Sequence, residues 1–123
     1  MIQIKIIANK MKIYHNNRCR KSREGVQYLM EKGIEFKIID YMKENISENK
    51  MKELLIKLNI SAIDLIRKNE KIWKDNYKGG EFTEKQVIKL LCKQPKLMER
   101  PIIEAEFKAV IGRPKENIDK LNN

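Results

Sequence analysis

Two cysteines and one histidine in 123 residues leave little material for thiol pairs or metal sites. Cys19 and Cys92 are far apart in the chain, and Cys19-Arg20-Lys21-Ser22 has serine where a Cys-x-x-Cys motif would have its second thiol. A self-contained dithiol switch is therefore disfavoured. One histidine with two distant cysteines makes no zinc set, so no metal is expected. A glycine-rich phosphate loop is missing as well. No apolar run approaches membrane-spanning length, and no membrane placement is expected. The opening MIQIKIIANK has neither the long apolar core nor the small-residue cleavage site of a secretory signal. A cytoplasmic setting follows, in which a cysteine is reactive or simply buried rather than disulfide-bonded.

What is present suits one compact domain over residues 1–123, because a second core would need more chain than remains after the first is built. Hydrophobic residues make up 41% and are spread along the sequence, enough for a core without staples. Met11 is an alternative start, which would make residues 1–10 an N-terminal extension. The net charge of +10 favours anionic partners. Nucleic acid is nevertheless not expected as a partner, because the basic residues do not gather on one predicted helix face. A monomer is expected.

The hydrophobic pattern sets the order of elements. Ile2 to Tyr14 reads as a buried strand ending at His15-Asn16-Asn17, and Lys21 to Lys32 as a helix closed by Gly33. Phe36 to Tyr41 is a second strand, which completes a βαβ opening with a parallel pair. Ser47 caps a helix with the stripe Met51, Leu54, Leu55 and Leu58, and a shorter helical segment runs from Ser61 through Ile66. Thr83 and Gln86 form a capping box before Val87, Ile88 and Leu91, and Lys78-Gly79-Gly80 is a turn. Two short strands at Pro101-Ile102-Ile103 and Lys108-Ala109-Val110-Ile111 predict a hairpin, and Pro114 suits the first position of a final helix through Leu121.

Cys19 falls where a strand has ended and a helix is about to begin, so its sulfur can face unpaired N–H groups and the positive end of the helix dipole. Arg18, Arg20, Lys21 and Arg23 flank it, and cations beside a thiol favour the thiolate. His15, four residues upstream, offers a further donor or charge. The alternative for any lone cysteine is an inert core position, which the polar and cationic neighbours of Cys19 oppose. Cys92 follows Ile88 by one helical turn and reads as core packing.

Only six of the 27 cations are arginine, three of them around Cys19. The others, Arg67, Arg100 and Arg113, stand near predicted element ends. A guanidinium holds a tetrahedral oxyanion with a planar fork that an ammonium lacks. Solvated surface roles remain the alternative for each, since spacing alone cannot show convergence.

Four segments in order, Ile13-Tyr14-His15-Asn16-Asn17-Arg18-Cys19-Arg20-Lys21-Ser22-Arg23, Ile60-Ser61-Ala62-Ile63-Asp64-Leu65-Ile66-Arg67, Glu99-Arg100-Pro101-Ile102-Ile103 and Ala109-Val110-Ile111-Gly112-Arg113-Pro114, resemble the glutaredoxin-linked arsenate reductases. The resemblance runs from Met11 nearly to the C-terminus. It implies an α/β thioredoxin-like (glutaredoxin-like) fold, with a mixed sheet, helices on both faces and a helical insertion. It also implies reduction of arsenate or a similar oxyanion to arsenite, a step of arsenic detoxification. By position, Cys19 is the nucleophile, Arg67, Arg100 and Arg113 bind substrate, and His15, Ser22 and cis-Pro101 support the thiol. No bound cofactor is implied; glutathione and the partner glutaredoxin act as external reductants.

One departure is Asn17, which stands where the family's His-Asn-Pro-x-Cys loop has proline and so leaves the loop freer. Two rival readings stay open. One is a relative of the same fold with another thiol-redox substrate. The other is an Spx-type regulator that binds RNA polymerase, a group that usually carries the Cys-x-x-Cys lacking here.

Overall fold

The computed structural model describes residues 11–122. The strand expected from Ile2 and the extension 1–10 therefore lie outside the described residues, apart from the strand's last part. Two compact units are present: residues up to Glu44 together with those from Arg100 onward, and Asn45 to Glu99.

The first unit holds β1 (Lys12–His15), α1 (Arg20–Glu31), β2 (Lys37–Asp40), β3 (Ile102–Glu104), β4 (Ala109–Ile111) and a closing 3-10 segment, Lys115–Asn122. The sheet order is β2-β1-β3-β4. β1 and β2 run parallel with His15 opposite Asp40, whereas β3 is antiparallel to both β1 and β4. A parallel pair needs a crossover, and α1 supplies it. The helix ends because Gly33 takes a left-handed conformation (φ +69°), letting Ile34 N–H return to the Leu29 carbonyl at 3.1 Å. Ile13, Leu29, Ile103 and Ile118 form the buried core, so strand, helix, hairpin and C-terminal segment meet at one point. Burying each such aliphatic side chain contributes roughly 1.5–3 kcal/mol.

In the second unit, Ser47 caps α2 (Glu48–Leu58) by accepting from Lys50 N–H, and Met51, Leu54 and Leu55 face inward. A 3-10 turn at Ala62–Leu65 replaces the short helical segment expected there. The Thr83–Gln86 capping box is formed and opens α4 (Glu84–Lys93), whose Val87, Ile88 and Leu91 are buried. Between them lies α3 (Lys71–Asn76), which the periodicity does not predict. Six residues are too few to display a helical stripe. What fixes α3 is Trp73, buried and stacked with Tyr77 at 5.8 Å between centroids.

The C-terminal segment differs from expectation in one respect. It is a 3-10 helix beginning at Lys115, and Pro114 precedes it, its carbonyl accepting Asn117 N–H at 3.0 Å. The mixed four-stranded sheet, with a helical block inserted between β2 and β3, is the expected α/β thioredoxin-like architecture. Among the described residues, no helix is long and apolar enough to cross a membrane.

Candidate active site

β1 ends at His15, and a tight turn leads to Cys19. Cys19 N–H donates to the Asn16 carbonyl at 2.9 Å, and Arg18 N–H to Asn16 Oδ1 at 3.1 Å. Asn16 thus makes the local side-chain bond that favours turns. Cys19 is the N-cap of α1, with extended backbone (φ −94°, ψ 122°). A side chain at an N-cap faces the N–H groups of the second and third helical residues, here Lys21 and Ser22, although the Cys19 sulfur makes no cap hydrogen bond of full geometry. Burial alone would raise the thiol pKa; the Ser22 N–H, the Arg100 guanidinium and the Lys21 N–H outweigh it and hold the thiol below its ordinary value. Arg100 Nε and Nη1 are themselves buried and have no hydrogen-bond partner among the described residues. A thiol biased towards thiolate therefore lies beside a guanidinium of which two buried nitrogens have no partner among the described residues.

The cations adjacent in sequence do not do this work, contrary to expectation. Arg20 and Lys21 extend to Glu24, at 3.6 and 3.7 Å, and are exposed. Arg23 Nη1 reaches back to the Asn17 carbonyl at 2.9 Å. The physical reason is directional. Side chains in a helix's first turn project outward, while its N–H groups point at the cap. Arg23 also ties down the loop residue Asn17, which lacks proline's rigidity.

His15 Nδ1 lies 2.6 Å from the Ser22 hydroxyl, which also accepts Asn16 N–H at 3.0 Å. Ser22 is fully buried, so this network locks strand end, turn and helix start together. Burial lowers the His15 pKa; Asp40 opposes this, Arg23 adds to it and Ser22 opposes it, and the net shift is downward. The ring is therefore neutral at neutral pH and orients Ser22 rather than supplying charge.

Arg100–Pro101 is a cis peptide bond, as the resemblance implied for Pro101. Pro101 rests on α1: a Cβ at Gly25 would stand 2.8 Å from Pro101 Cγ. Gly112 N–H donates to the Pro101 carbonyl at 2.8 Å, so Arg100 precedes the acceptor and Arg113 follows the donor of one hydrogen bond. Arg113 is exposed, and its carbonyl accepts from Asn117 Nδ2 at 3.2 Å. The first unit thus gathers Cys19, Ser22, His15, Arg100 and Pro101, with Arg113 on adjoining backbone.

Arg67 belongs to the second unit and is already engaged there, its Nη1 donating to Glu70 Oε2 at 2.7 Å. Glu99 Oε1 is 3.7 Å from its Nε. Sequence reasoning missed Glu70, Glu99 and Asp40. The first is three residues from Arg67, a spacing that was available as a signal; the other two need the strand pairings. Among the described residues, no group of three or more His, Cys, Asp or Glu could hold a metal ion.

The sequence profile of the ArsC family matches residues 14–121. The Escherichia coli K12 protein YfgD, itself described as uncharacterized, is 39% identical over 114 residues, covering 91% of this chain and 96% of that protein. An arsenate reductase of Neisseria meningitidis serogroup A is 32% identical over 114 residues, covering 91% of this chain and 97% of that one. A solved structure described as a putative arsenate reductase from Yersinia pestis superposes with a TM-score of 0.84 at 38% identity, covering 89% of this chain and 98% of that chain.

Proposed function

The chain belongs to the ArsC family, and from that footing we propose that it reduces arsenate, or a closely similar tetrahedral oxyanion, using Cys19 as nucleophile. The observation that carries this reading is the Cys19 thiol, held below its ordinary pKa beside an Arg100 guanidinium whose buried Nε and Nη1 lack partners among the described residues. Such donors offset the oxyanion's charge so that an anionic sulfur can approach it, and then stabilise charge developing on the departing oxygen. Arg113 and Arg67 are the second and third oxyanion ligands in this reading. His15, Ser22 and Pro101 position the thiol loop.

The chemistry balances with an external thiol. Cys19 sulfur displaces one arsenate oxygen as water, forming a sulfur–arsenic(V) bond. Glutathione displaces a second oxygen as water. A further thiol, from glutaredoxin or a second glutathione, attacks the arsenic-bound glutathione sulfur; a disulfide forms and the electron pair reduces arsenic(V) to arsenic(III). Water then releases arsenite and returns Cys19 to its thiol. Cys92 has no part in the cycle. In this reading the protein acts as a cytoplasmic monomer.

The test is NADPH consumption by the purified protein with arsenate, glutathione, glutaredoxin and glutathione reductase. Consumption should require arsenate, and omission of glutaredoxin should slow it. Arg100→Lys keeps the charge but loses the fork, and is expected to raise KM for arsenate about tenfold. Consumption independent of arsenate would sink the reading.

A further inference from the structure

Of the three arginines read as oxyanion ligands, Arg67 has carboxylates against its guanidinium, and the backbone is built to keep them there. An antiparallel bridge joins Ile66 to Met98. On either side of it, Arg67 N–H donates to the Leu97 carbonyl at 2.6 Å and Glu99 N–H to the Leu65 carbonyl at 2.8 Å, which puts Arg67 and Glu99 diagonally across the bridge on one face, within reach of long side chains. Glu70 caps α3 three residues on, its N–H donating to the Arg67 carbonyl at 3.0 Å. From there its carboxylate takes Arg67 Nη1 at 2.7 Å, while Glu99 stays 3.7 Å from Nε, too far for a hydrogen bond. The three side chains keep only 22, 26 and 35% exposure, so the cluster is partly desolvated and yet open to a ligand. Arg67 Nη2 has no hydrogen-bond partner among the described residues.

One guanidinium between two carboxylates leaves a net negative charge. An arginine meant to hold a fully ionised anion gains nothing from that arrangement, because each carboxylate repels the ligand. The arrangement becomes favourable when the anion carries a proton. Its bare oxygens then accept from the guanidinium, and its O–H donates to a carboxylate, which is acceptor-only. Arsenate and phosphate retain at least one proton at neutral pH, whereas sulfate retains none.

We propose that Glu70 and Glu99, working with Arg67, select tetrahedral oxyanions that carry a proton and reject those that do not. The proposal rests on Arg67 being an oxyanion ligand, as in the function proposed above. Sulfate in this clasp sets its lone pairs against those of a carboxylate, a repulsive element of the kind that creates specificity.

Titration calorimetry of the reduced protein with sodium phosphate and with sodium sulfate at pH 7 tests this. Phosphate should bind at least about tenfold more tightly than sulfate, since a site built to receive an O–H rejects the analogue lacking it. Glu70→Gln combined with Glu99→Gln supplies amides that can donate to sulfate, and should bring the two affinities within about threefold of one another, mainly by strengthening sulfate. Equal affinity in the wild-type protein, binding of neither anion at millimolar concentrations, or an unchanged ratio in the double variant each overturns the proposal. The wild-type comparison needs no variant and decides the matter even where the double variant fails to fold. Phosphate selectivity without arsenate-dependent NADPH consumption would instead remove the reductase reading and leave the selection standing.

Discussion

Cys19 and Cys92 are both free and both half-buried, and their thiols are pushed in opposite directions. At Cys92, burial raises the pKa and the Glu48 carboxylate raises it further. Cys92 is the penultimate residue of α4, where N–H groups are spent in the helical ladder and the dipole presents its negative end. Cys19 suffers the same burial penalty, but at an N-cap it meets unspent N–H groups and the Arg100 guanidinium. Partial burial therefore does not distinguish a reactive cysteine from an inert one. The end of the helix on which it sits, and one cation brought from a distant strand, make the difference.

The largest effect expected from that contrast is functional. Cys19→Ser should abolish arsenate-dependent NADPH consumption, while Cys92→Ser should stay within about twofold of wild type, as surface and satellite substitutions usually do. Loss of activity in the Cys92 variant would break the comparison outright. Next comes the pH dependence of alkylation, read peptide by peptide with iodoacetamide. A lowered pKa keeps thiolate populated towards acid and a raised one confines it to alkali, so the Cys19 profile should lie on the acid side of an ordinary thiol and that of Cys92 on the alkaline side. At pH 7 Cys19 should react at least about tenfold faster. Arg100→Ala sharpens the same contrast, slowing Cys19 about three- to tenfold at pH 7 and leaving Cys92 unchanged. An unaltered Cys19 rate would assign its activation to the amides alone.

Arg100, already marked by the resemblance as an oxyanion ligand, shows its hold on the thiol only in the fold, while other features stand open in the sequence, and the reason is the range of each interaction. Gly33, Ser47 and the Thr83–Gln86 box act within a turn of their own position, and each does in the structure what its spacing implies. The parallel pairing of β1 with β2 follows from a helix between two apolar runs, and the β3–β4 hairpin from a short connection. Trp73's helix escaped notice because tertiary burial, not periodicity, forms it. At the site, Cys19, His15 and Ser22 share one short segment, and their network is legible there. Of the causes that the sequence offers for a lowered thiol, the N–H groups at the helix start act as expected, while the flanking side chains of Arg18, Arg20, Lys21 and Arg23 give way to Arg100. Sequence adjacency at a helix start sends those side chains outward, whereas Arg100 arrives from the start of β3. Glu99 beside Arg67 is legible only once residues 65–67 are paired with 97–99.

The smallest expected effect concerns His15, whose charge state decides whether the imidazole joins the forces that separate the two cysteines. Burial lowers its pKa, and Asp40, its partner across the parallel strands, opposes that shift without overcoming it. Asp40→Asn should therefore move the His15 titration further towards acid, and Arg23→Ala should move it back, in ring-proton NMR of the sole histidine. In neither variant should Cys19 alkylation at pH 7 change by more than about twofold, because the thiol is lowered by the Ser22 and Lys21 N–H groups and Arg100, and His15 is not among the causes. A Cys19 rate that follows the His15 titration would instead make the imidazolium a source of the thiol's activation, and would move part of the contrast with Cys92 from the helix end to the His15–Ser22 pair.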